Sequence, residues 1–479
     1  MKKKKLLLVL VPVLLVLAAL LSVRPLKRGF RPAKVLDTRA ISGAQVRETG
    51  RTAFLGGVER LEREYALDNG DSVVFGRMTA ITDSAYHLIR TDHLSVSDGT
   101  VWCFDADSGT WSDCALREMQ LSGACVYLAG EGGSYFSYLP IAYETMDCDC
   151  LRETGSRGYI SIEKARNGWD ICLYCASLAP DQLCDYTVIT SGSPLLDTSD
   201  RARMDERTAA TYRGDGRWCY TGYYRFSPDG YIPCGDGCLY RCVATYLAKF
   251  TDQWANEERY AQDLSLSTLD TVGLLQNEKG YFPTMPVCVW LRDDYGIPGG
   301  FFDTRFNSDL MLLFYDQMGR TGGFEDVVNR YFDFYLDYAA RFHHETASGG
   351  WLVWDYGSES VPVHCSLNHQ LCEILVLYDY AGQLDCPELS ELGDRMLLAI
   401  EDTGLDWVRE DGDLHYCYLP DGSYGRDDYP YLTYNDLYDL QNRLEAMGRG
   451  RNDTLDELMA VKLRWMQENG ITDYKGSAD

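Results

Sequence analysis

The hydrophobic period changes near Cys234, and this change constrains the fold more than any other feature of the sequence. Between residues 72 and 231, short apolar runs such as "SVVFG", "ACVYLAG" and "DYTVIT" are separated by Gly, Asp and Ser. Short runs that are rich in β-branched and aromatic residues, and that lie between turn signals, are typical of strands. This part of the chain therefore predicts an antiparallel β domain.

Beyond Cys234 the apolar residues recur every three or four positions, which is the period of a helix. The clearest case is "GFEDVVNRYFDFYLDYAARF", and the segments "LNHQLCEILVLYDYAG", "YNDLYDLQNRLEAM" and "TLDELMAVKLRWMQENG" follow the same pattern. Long loops rich in aromatic residues separate them. Successive helices joined in this way indicate helical hairpins arranged in a ring, an (α/α) toroid, whose functional site lies on the loops at one end.

The N-terminus carries an apolar run at residues 6–23 behind four lysines. As a helix, the run would measure roughly 27 Å, which is enough to span the core of a bilayer. A good cleavage site is missing, so the run predicts an uncleaved transmembrane anchor rather than a signal peptide. We expect the rest of the chain to lie outside the cytoplasm, because long C-terminal domains are translocated largely regardless of charge.

These features predict an α+β multidomain chain with four parts. Residues 1–28 form a cytoplasmic stub and the transmembrane anchor, and residues 29–70 form a stalk. Residues 71–231 form the β-rich domain, and residues 232–479 form the (α/α) toroid. Hydrophobic residues make up 46% of the sequence, which is ample material for buried cores.

Charge and cysteine content limit the partners. The net charge of -27 argues against nucleic acid, which needs clustered Lys and Arg. An anionic glycan would need a local basic cleft. The 17 cysteines are an odd number, so at least one has no partner within the chain. Neither Cys172 and Cys175 nor Cys238 and Cys242 have a second ligand pair at zinc-site spacing, so the sequence predicts no metal and no cofactor.

Residues 425–440, "GRDDYPYLTYNDLYDL", crowd tyrosines and aspartates around a predicted helix start. Pro430 holds the preceding Tyr429 in an extended conformation. Thr433, with an acidic residue three positions later, predicts a capping box and a helix from the next residue. Tyr429 and Tyr431 are therefore expected in the loop, at the mouth of the site.

This stretch resembles the Arg-x-Asp-Tyr motif of the D-glucuronyl C5-epimerase family. Arg426, Asp428, Tyr429, Asn435 and Leu437 match the motif and the residues that follow it.

A second stretch, "WDYGSESVPVHCSLNHQLCEILVLYDY", resembles another loop and helix start of the same family. The aligned residues are Pro362, Leu367, Asn368 and the "LYD" at 377–379, together with Asp355 and Tyr356 if two residues are inserted. A third, "EDTG" at 401–404, resembles a family Asp-Thr-Gly. The resemblance covers residues 234–470 and does not extend to the β region.

The chain departs from the family at a Tyr-Asp-Leu-Arg segment, where it reads "REDGDLHYCYLPDGS". Either Tyr416 or Tyr418 could supply the tyrosine of that segment. The arginine that follows it in the family is missing.

The resemblance implies inversion of C5 in a uronic acid residue of an extracellular or cell-surface polysaccharide. A tyrosine can move the C5 proton if a nearby cation lowers its pKa from about 10, and Arg426 is placed to do this or to neutralise the sugar carboxylate. The implied catalytic residues are Tyr356, Tyr416 or Tyr418, Tyr429 and Asp355. The implied substrate-binding residues are Arg426, Asp428, Asn368, Asn435 and Tyr431.

Three other functions stay open. A polysaccharide lyase shares the first step, and a glycoside hydrolase would use two carboxylic acids about 5 to 9.5 Å apart, with Asp355, Asp427 and Asp428 as candidates. A non-catalytic envelope protein could simply bind a glycan, and homodimerisation is also left open. His369 lies among apolar helix residues and is interpreted as a core residue. An epimerase or lyase requires its three tyrosines around one cleft with an arginine.

Overall fold

The computed structural model describes residues 31–53, 57–82, 88–175, 177–213, 216–243, 246–357 and 361–477. The strands of this part of the chain are β1 (Lys34–Ile41), β2 (Ala44–Thr52), β3 (Val58–Leu67), β4 (Ser72–Ala80), β5 (Leu88–Leu94), β6 (Thr100–Asp105), β7 (Thr110–Ala115), β8 (Met119–Leu121), β9 (Cys125–Gly130), β10 (Gly133–Thr145), β11 (Cys150–Arg157), β12 (Tyr159–Ala165), β13 (Gly168–Tyr174), β14 (Leu183–Ser191), β15 (Gly216–Cys219), β16 (Gly222–Phe226), β17 (Tyr231–Ile232), β18 (Cys238–Arg241), β19 (Val287–Cys288), β20 (His343–Glu345), β21 (Trp351–Val353), β22 (Cys365–Ser366), β23 (His415–Tyr418) and β24 (Tyr424–Asp427). The helices are α1 (Arg201–Arg213), α2 (Tyr246–Trp254), α3 (Arg259–Gly273), α4 (Val289–Tyr295), α5 (Thr304–Thr321), α6 (Glu325–Arg341), α7 (Leu367–Gln383), α8 (Pro387–Thr403), α9 (Leu432–Ala446) and α10 (Asp453–Glu468), with a 3₁₀ turn at Gly404–Trp407.

A 13-stranded antiparallel sheet dominates the first half of the chain. Its main path runs β1-β2-β3-β4-β14-β10-β11-β18-β16-β15, and β9, β6 and β7 branch from β10. The branch arises because β10 is long: its residues 133–138 pair with β9, whereas residues 141–145 pair with β11. The predicted antiparallel β structure is therefore present, and it begins at Lys34.

The two faces of this sheet are buried against different partners. Val74 and Val126 point to one face and pack against Ile160 and Ile171 of a second sheet, ordered β5-β13-β12-β8. Phe75, the neighbour of Val74, points to the other face and packs against the helices. Successive residues of a strand point to opposite faces, so the large sheet is the middle layer between the small sheet and the helices.

Strands β1, β2 and β3 lie in the segment for which the sequence predicts a stalk. β2 pairs with β3 over its whole length, and Val46 faces Tyr65 in that pair. Both side chains are buried in the cluster that joins the sheet to the helices. From Lys34 onward, this segment is consequently part of the sheet.

The helices form two layers in the second half of the chain. α7 lies between α5 and α9 in the inner layer, and α8 lies between α6 and α10 in the outer layer. α7 is buried almost without interruption from Leu367 to Tyr380, as its central place requires. The hairpins succeed one another as an arc, and α2 and α3 add a further pair that joins the arc to the large sheet.

The sheet and the helices share one hydrophobic core. Phe136 of β10, Leu264 of α3, Leu310 of α5 and Leu371 of α7 belong to a single buried cluster. Strand β18 follows Cys234 in sequence, yet it pairs with β11 and β16 of the large sheet. The change of hydrophobic period therefore does not separate two independent cores.

One part of the predicted fold class, the N-terminal transmembrane anchor, is corrected. Residues 6–23 lie outside the described residues, and none of the helices that are described is long and apolar enough to cross a membrane. The predicted membrane-anchored, extracytoplasmic location rested on the same run and is corrected with it.

Candidate active site

A cavity of about 570 Å³ opens where the N-terminal ends of the inner helices α5, α7 and α9 meet the edge of the large sheet. Its lining comes from at least seven separate segments. The residues are Arg225, Pro228, Tyr231, Tyr246, Lys249, Trp290, Asp303, Arg305, Phe306, Asp309, Tyr356, Asn368, His369, Tyr416, Tyr429, Pro430, Tyr431 and Leu432.

Asp303 forms part of the cavity wall at the start of α5. Its carboxylate caps the helix by accepting a hydrogen bond of 2.9 Å from the backbone N–H of Phe306. The residue is only 4% exposed. Burial disfavours the charged form and raises the pKa of Asp303 from 3.8 to about 7, against the opposing effect of the Phe306 N–H. Asp303 is thus poised between its protonated and ionised forms near neutral pH.

Two cations hold the second acid of α5. Asp309 accepts hydrogen bonds from Arg305 at 3.2 Å and from Lys249 at 2.6 Å. Burial opposes ionisation, but Arg305 and Lys249 bring the pKa of Asp309 below its usual value. Arg305 also forms a bidentate pair with Asp436 of α9, with N–O distances of 2.6 and 3.0 Å. This network ties the starts of α5 and α9 together beside the cavity.

Three tyrosines that the sequence singled out meet at the same cavity. The rings of Tyr416 and Tyr429 are 5.7 Å apart and nearly perpendicular, and the ring of Tyr356 is 5.5 Å from that of Trp290. Burial raises the pKa of Tyr356 and of Tyr416 well above 10. Desolvation raises the pKa of Tyr429 as well, although 49% of its surface is exposed. The phenols are therefore protonated at neutral pH and act as hydrogen-bond donors.

Of Tyr416 and Tyr418, the two alternatives for the tyrosine of the family's Tyr-Asp-Leu-Arg segment, only one lines the cavity. Tyr416 lines the wall, whereas Tyr418 points elsewhere and contacts Tyr424 and His344, with ring centroids 5.3 and 5.5 Å away. Only Tyr416 contacts Tyr429.

Asn368 and Tyr431, both expected to bind substrate, line the cavity. Asn368 is 2% exposed and its side-chain oxygen has no hydrogen-bond partner. A buried amide oxygen without a partner costs free energy.

Arg426 does not line the cavity. Its guanidinium lies over the ring of Trp290 at 5.0 Å and donates to Asp294 at 2.7 Å. The backbone of Arg426 has a positive φ of 62°. The side chain of Arg426 contacts α4, and the charge-supplying role that the sequence analysis assigned to it stays a prediction. Arg305 and Arg225 are the arginines of the wall.

Asp428 and Asn435 are also outside the cavity lining. Asp428 is ion-paired with the fully buried Lys462 at 2.9 Å and accepts from the hydroxyl of Thr433 at 2.6 Å. Asn435 accepts from the backbone N–H of Lys475 at 2.8 Å. Thr433 bonds to Asp428 instead of making the predicted capping box, and α9 begins at Leu432. These contacts hold the loop in place, and the substrate-binding roles of Asp428 and Asn435 stay predictions.

Asp355 lies behind the wall and is fully buried. It accepts hydrogen bonds from the backbone N–H of Ser366, at 2.8 Å, and from the Ser366 hydroxyl. His364 and His369 approach its carboxyl group at 3.4 and 3.7 Å. Burial raises the pKa of Asp355 well above its usual value. Asp355 thus holds Ser366 behind the wall. Asp427 pairs with Arg409 at the surface.

The sequence analysis missed the acids and cations at the start of α5. Asp303, Arg305 and Asp309 follow a loop rich in Gly and aromatic residues, "GIPGGFFDTRFNSD". An Asp directly before a helix is a cap signal, so the helix start could have been found. His369, interpreted as a core residue, lines the cavity with its Nδ1 2.9 Å from the Thr304 hydroxyl. Burial lowers the pKa of His369 well below its usual value, so its imidazole is neutral.

In the described part of the chain, His, Cys, Asp and Glu form no group of three or more that could hold a metal ion. No family model matches the chain, and no curated protein matches it by sequence. The resemblance to D-glucuronyl C5-epimerases is therefore without a matching family model.

Several solved structures resemble the fold in part. They include the family 76 α-mannanase of Bacteroides thetaiotaomicron (11% identity, TM-score 0.34, 46% of this chain and 59% of that one). A D-mannose isomerase has 13% identity and a TM-score of 0.34 over 47% of this chain and 59% of that one. The unsaturated glucuronyl hydrolase of Bacillus sp. GL1 has 14% identity and a TM-score of 0.32, with 47% and 61% covered. The match spans about three fifths of each of these chains, and at such TM-scores it carries no argument about activity.

Proposed function

We propose that the chain is a carbohydrate-active enzyme that binds a sugar residue in this cavity and acts on it by proton transfer, with Asp303 as the acid. One observation carries the proposal: a buried carboxyl group with a pKa of about 7 lies on the wall of a cavity among three protonated tyrosines. A general acid works best when its pKa is near the working pH. Asp303 meets this condition at neutral pH.

The lining supports a sugar as the ligand. A cavity of about 570 Å³ is of the size that encloses a small ligand. The rings of Tyr429 and Trp290 offer surface on which a pyranose can stack. Phenol, guanidinium and carboxyl groups of the lining suit a ligand with many hydroxyl groups.

Hydrolysis of a glycosidic bond is the reaction that best uses these groups. Asp303 would give its proton to the leaving oxygen as the bond from the anomeric carbon breaks. Asp309, held ionised by Arg305 and Lys249, would accept the proton of the attacking water. Inverting glycosidases pair a carboxylic acid with a carboxylate in these two roles.

Epimerisation of a uronate at C5 in a polysaccharide is the second candidate, with the related lyase reaction beside it. The meeting of Tyr356, Tyr416 and Tyr429 with Arg305 around one cavity favours it. The raised pKa values of these phenols make them proton donors rather than bases. In such a reaction a carboxylate would remove the C5 proton and a phenol would return one from the opposite face.

A panel of polysaccharides incubated with the chain in heavy water tests the proposal. The panel contains α-mannan, xylan, alginate and heparosan, and the Asp303→Asn variant is the control. New reducing ends indicate a hydrolase, absorbance of an unsaturated uronate indicates a lyase, and deuterium at C5 in uncut chains indicates an epimerase. Binding without turnover across the panel would instead identify a glycan-binding protein and overturn the proposal.

A further inference from the structure

Helix α2 carries a row of three aromatic residues that leads away from the cavity. Tyr246, Phe250 and Trp254 are spaced four residues apart and lie on one face of the helix. The ring centroids of Tyr246 and Phe250 are 6.3 Å apart, and those of Phe250 and Trp254 are 5.8 Å apart. The ring planes are nearly parallel along the row, at 28° and 12°. We call these three residues the aromatic row.

Aromatic residues at this spacing usually pack into a core, but the core face of α2 is a different one. Its buried residues are Leu247, Ala248, Thr251 and Asp252. Phe250 packs against none of the hydrophobic clusters that the described residues form. Tyr246 is 52% exposed. Phe250 and Trp254 are half-buried, so the aromatic row runs along the surface with part of each ring exposed.

The far end of the aromatic row is anchored to the body of the protein. Trp254 packs partly against the main cluster, and the guanidinium of Arg207 lies 5.4 Å from its ring centroid. Arg207 is itself ion-paired with Glu258 at 2.7 Å. The indole is consequently held in one orientation.

The near end is continuous with the cavity. Tyr246 belongs both to the aromatic row and to the cavity lining, where Tyr429 and Tyr431 form the same rim. Lys249, one turn into α2, pairs with Asp309 inside the cavity. A ligand that leaves the cavity past Tyr246 therefore meets Phe250 and then Trp254 along one line.

We infer that the aromatic row binds successive sugar units of a glycan chain whose reacting unit lies in the cavity, so that the substrate is an extended chain rather than a free mono- or disaccharide. This inference rests on the proposed function. The ring spacings of 6.3 and 5.8 Å are close to the length that one pyranose adds to a chain. Pyranose C–H groups stack on aromatic rings regardless of the sugar's exact hydroxyl pattern. A protein partner would have no reason to extend into the cavity.

The test compares long and short substrates of the polysaccharide that gives turnover. Phe250→Ala removes the middle ring, which lies outside the hydrophobic clusters, so we expect the fold to be retained. KM for the polymer should rise by about threefold to tenfold, in line with the strength of an aromatic contact. KM for the shortest oligosaccharide turned over, and kcat for both, should stay within about twofold. Phe250→Trp should restore polymer binding.

Tyr174→Ala is the matched control, because Tyr174 is a half-buried ring stacked on Tyr159 at 4.7 Å in the other sheet. It should change neither KM. An equal rise for short and long substrates in Phe250→Ala, or no change for either, would overturn the inference.

A separate binding measurement distinguishes failure of the inference from failure of the proposed function. Migration of the chain through gels that contain α-mannan or heparosan reports binding without turnover. If no substrate is turned over, weaker retardation of Phe250→Ala than of Tyr174→Ala still supports a glycan on the aromatic row. Equal retardation of these two variants would overturn it.

Discussion

Two segments at the starts of inner helices line the same cavity, and they contribute different kinds of side chain to it. The acidic segment, residues 303–309 at the start of α5, supplies carboxyl groups and the guanidinium of Arg305. The aromatic loop, residues 426–431 before α9, supplies the rings of Tyr429 and Tyr431. The acidic segment provides groups that can transfer protons, and the aromatic loop provides an apolar surface on which a ligand can stack.

The two segments are also held differently. In the acidic segment, the Asp303 carboxylate accepts from the backbone N–H of Phe306, and the backbone N–H of Thr304 donates to the carbonyl of Asp355. The side-chain amide of Asn307 accepts from the backbone N–H of Phe282 and donates to its carbonyl. The aromatic loop depends on Asp428, which is paired with Lys462 of α10. A group that transfers a proton needs a fixed position and a dry environment, and the acidic segment supplies both. A stacking surface tolerates exposure.

The largest expected effect tests the acidic segment. Asp303→Asn keeps an acceptor for the Phe306 N–H, so the helix cap should remain. Turnover should fall by about 10²- to 10⁴-fold, because the amide cannot donate the acid's proton. In the wild type, activity should fall as the pH rises through about 7, where Asp303 loses its proton. Steady-state kinetics across a pH series would measure both effects.

The control for this variant is Asp402→Asn, since Asp402 also accepts a backbone N–H, from Ser348 at 2.8 Å, outside the cavity. It should keep the wild-type pH profile. The folded state binds the Asp303 proton more tightly than the unfolded state does. This carboxyl group therefore favours folding below its unfolded pKa of 3.8 and loses that contribution as the pH rises through about 7. An Asp303→Asn enzyme with wild-type turnover would remove the acidic segment from the chemistry.

The next effect tests how the aromatic loop is held. Lys462→Met leaves Asp413 and Asp428 without their shared cation, which lies 2.5 and 2.9 Å from them in a fully buried position. Removing one partner of a buried ion pair typically costs about 3 to 5 kcal/mol. The free energy of unfolding should fall by that amount in denaturant titrations. Lys475→Met, which breaks the exposed pair with Asp439, should change it by less than about 1 kcal/mol.

A smaller effect separates two tyrosines of β23. Tyr416→Phe removes a phenol of the cavity wall, and turnover should fall by about tenfold if one hydrogen bond to the substrate is lost. Tyr418→Phe removes a phenol outside the lining and should leave turnover within about twofold. Equal losses in the two variants would mean that the cavity described here is not where the substrate reacts.

The smallest effect concerns Arg426. Arg426→Ala breaks an exposed pair with Asp294 and a contact with Trp290, which together are worth about 1 kcal/mol or less. Turnover should stay within about threefold of the wild type, since Arg305 rather than Arg426 borders the cavity. A loss of about 10²-fold or more would restore the role that the family resemblance implies for Arg426.

Part of this molecule follows from local pattern. The alternation of apolar and polar residues predicts the antiparallel strands, and the three-to-four spacing predicts the helices, because both depend on which residues share a face of one element. The same reasoning puts Tyr429 and Tyr431 in the loop before α9, where they line the cavity with Tyr356, Tyr416 and Asn368. The catalytic and binding roles of these residues stay predictions.

The sequence by itself determined the strand character of most of residues 72–231, most helices beyond Cys234 and the aromatic loops, but it took strands β1, β2 and β3 for a stalk. Only the tertiary structure decided which charges face the cavity. Arg426 points away from the cavity because it binds Asp294 and packs on Trp290 of α4. Asp428 forms an ion pair with Lys462 of α10. Asp303 becomes a candidate acid only when the surrounding segments exclude water from it and raise its pKa. Local periodicity records the faces of single elements, whereas desolvation and ion pairing depend on residues that are distant in sequence and meet only in the folded chain.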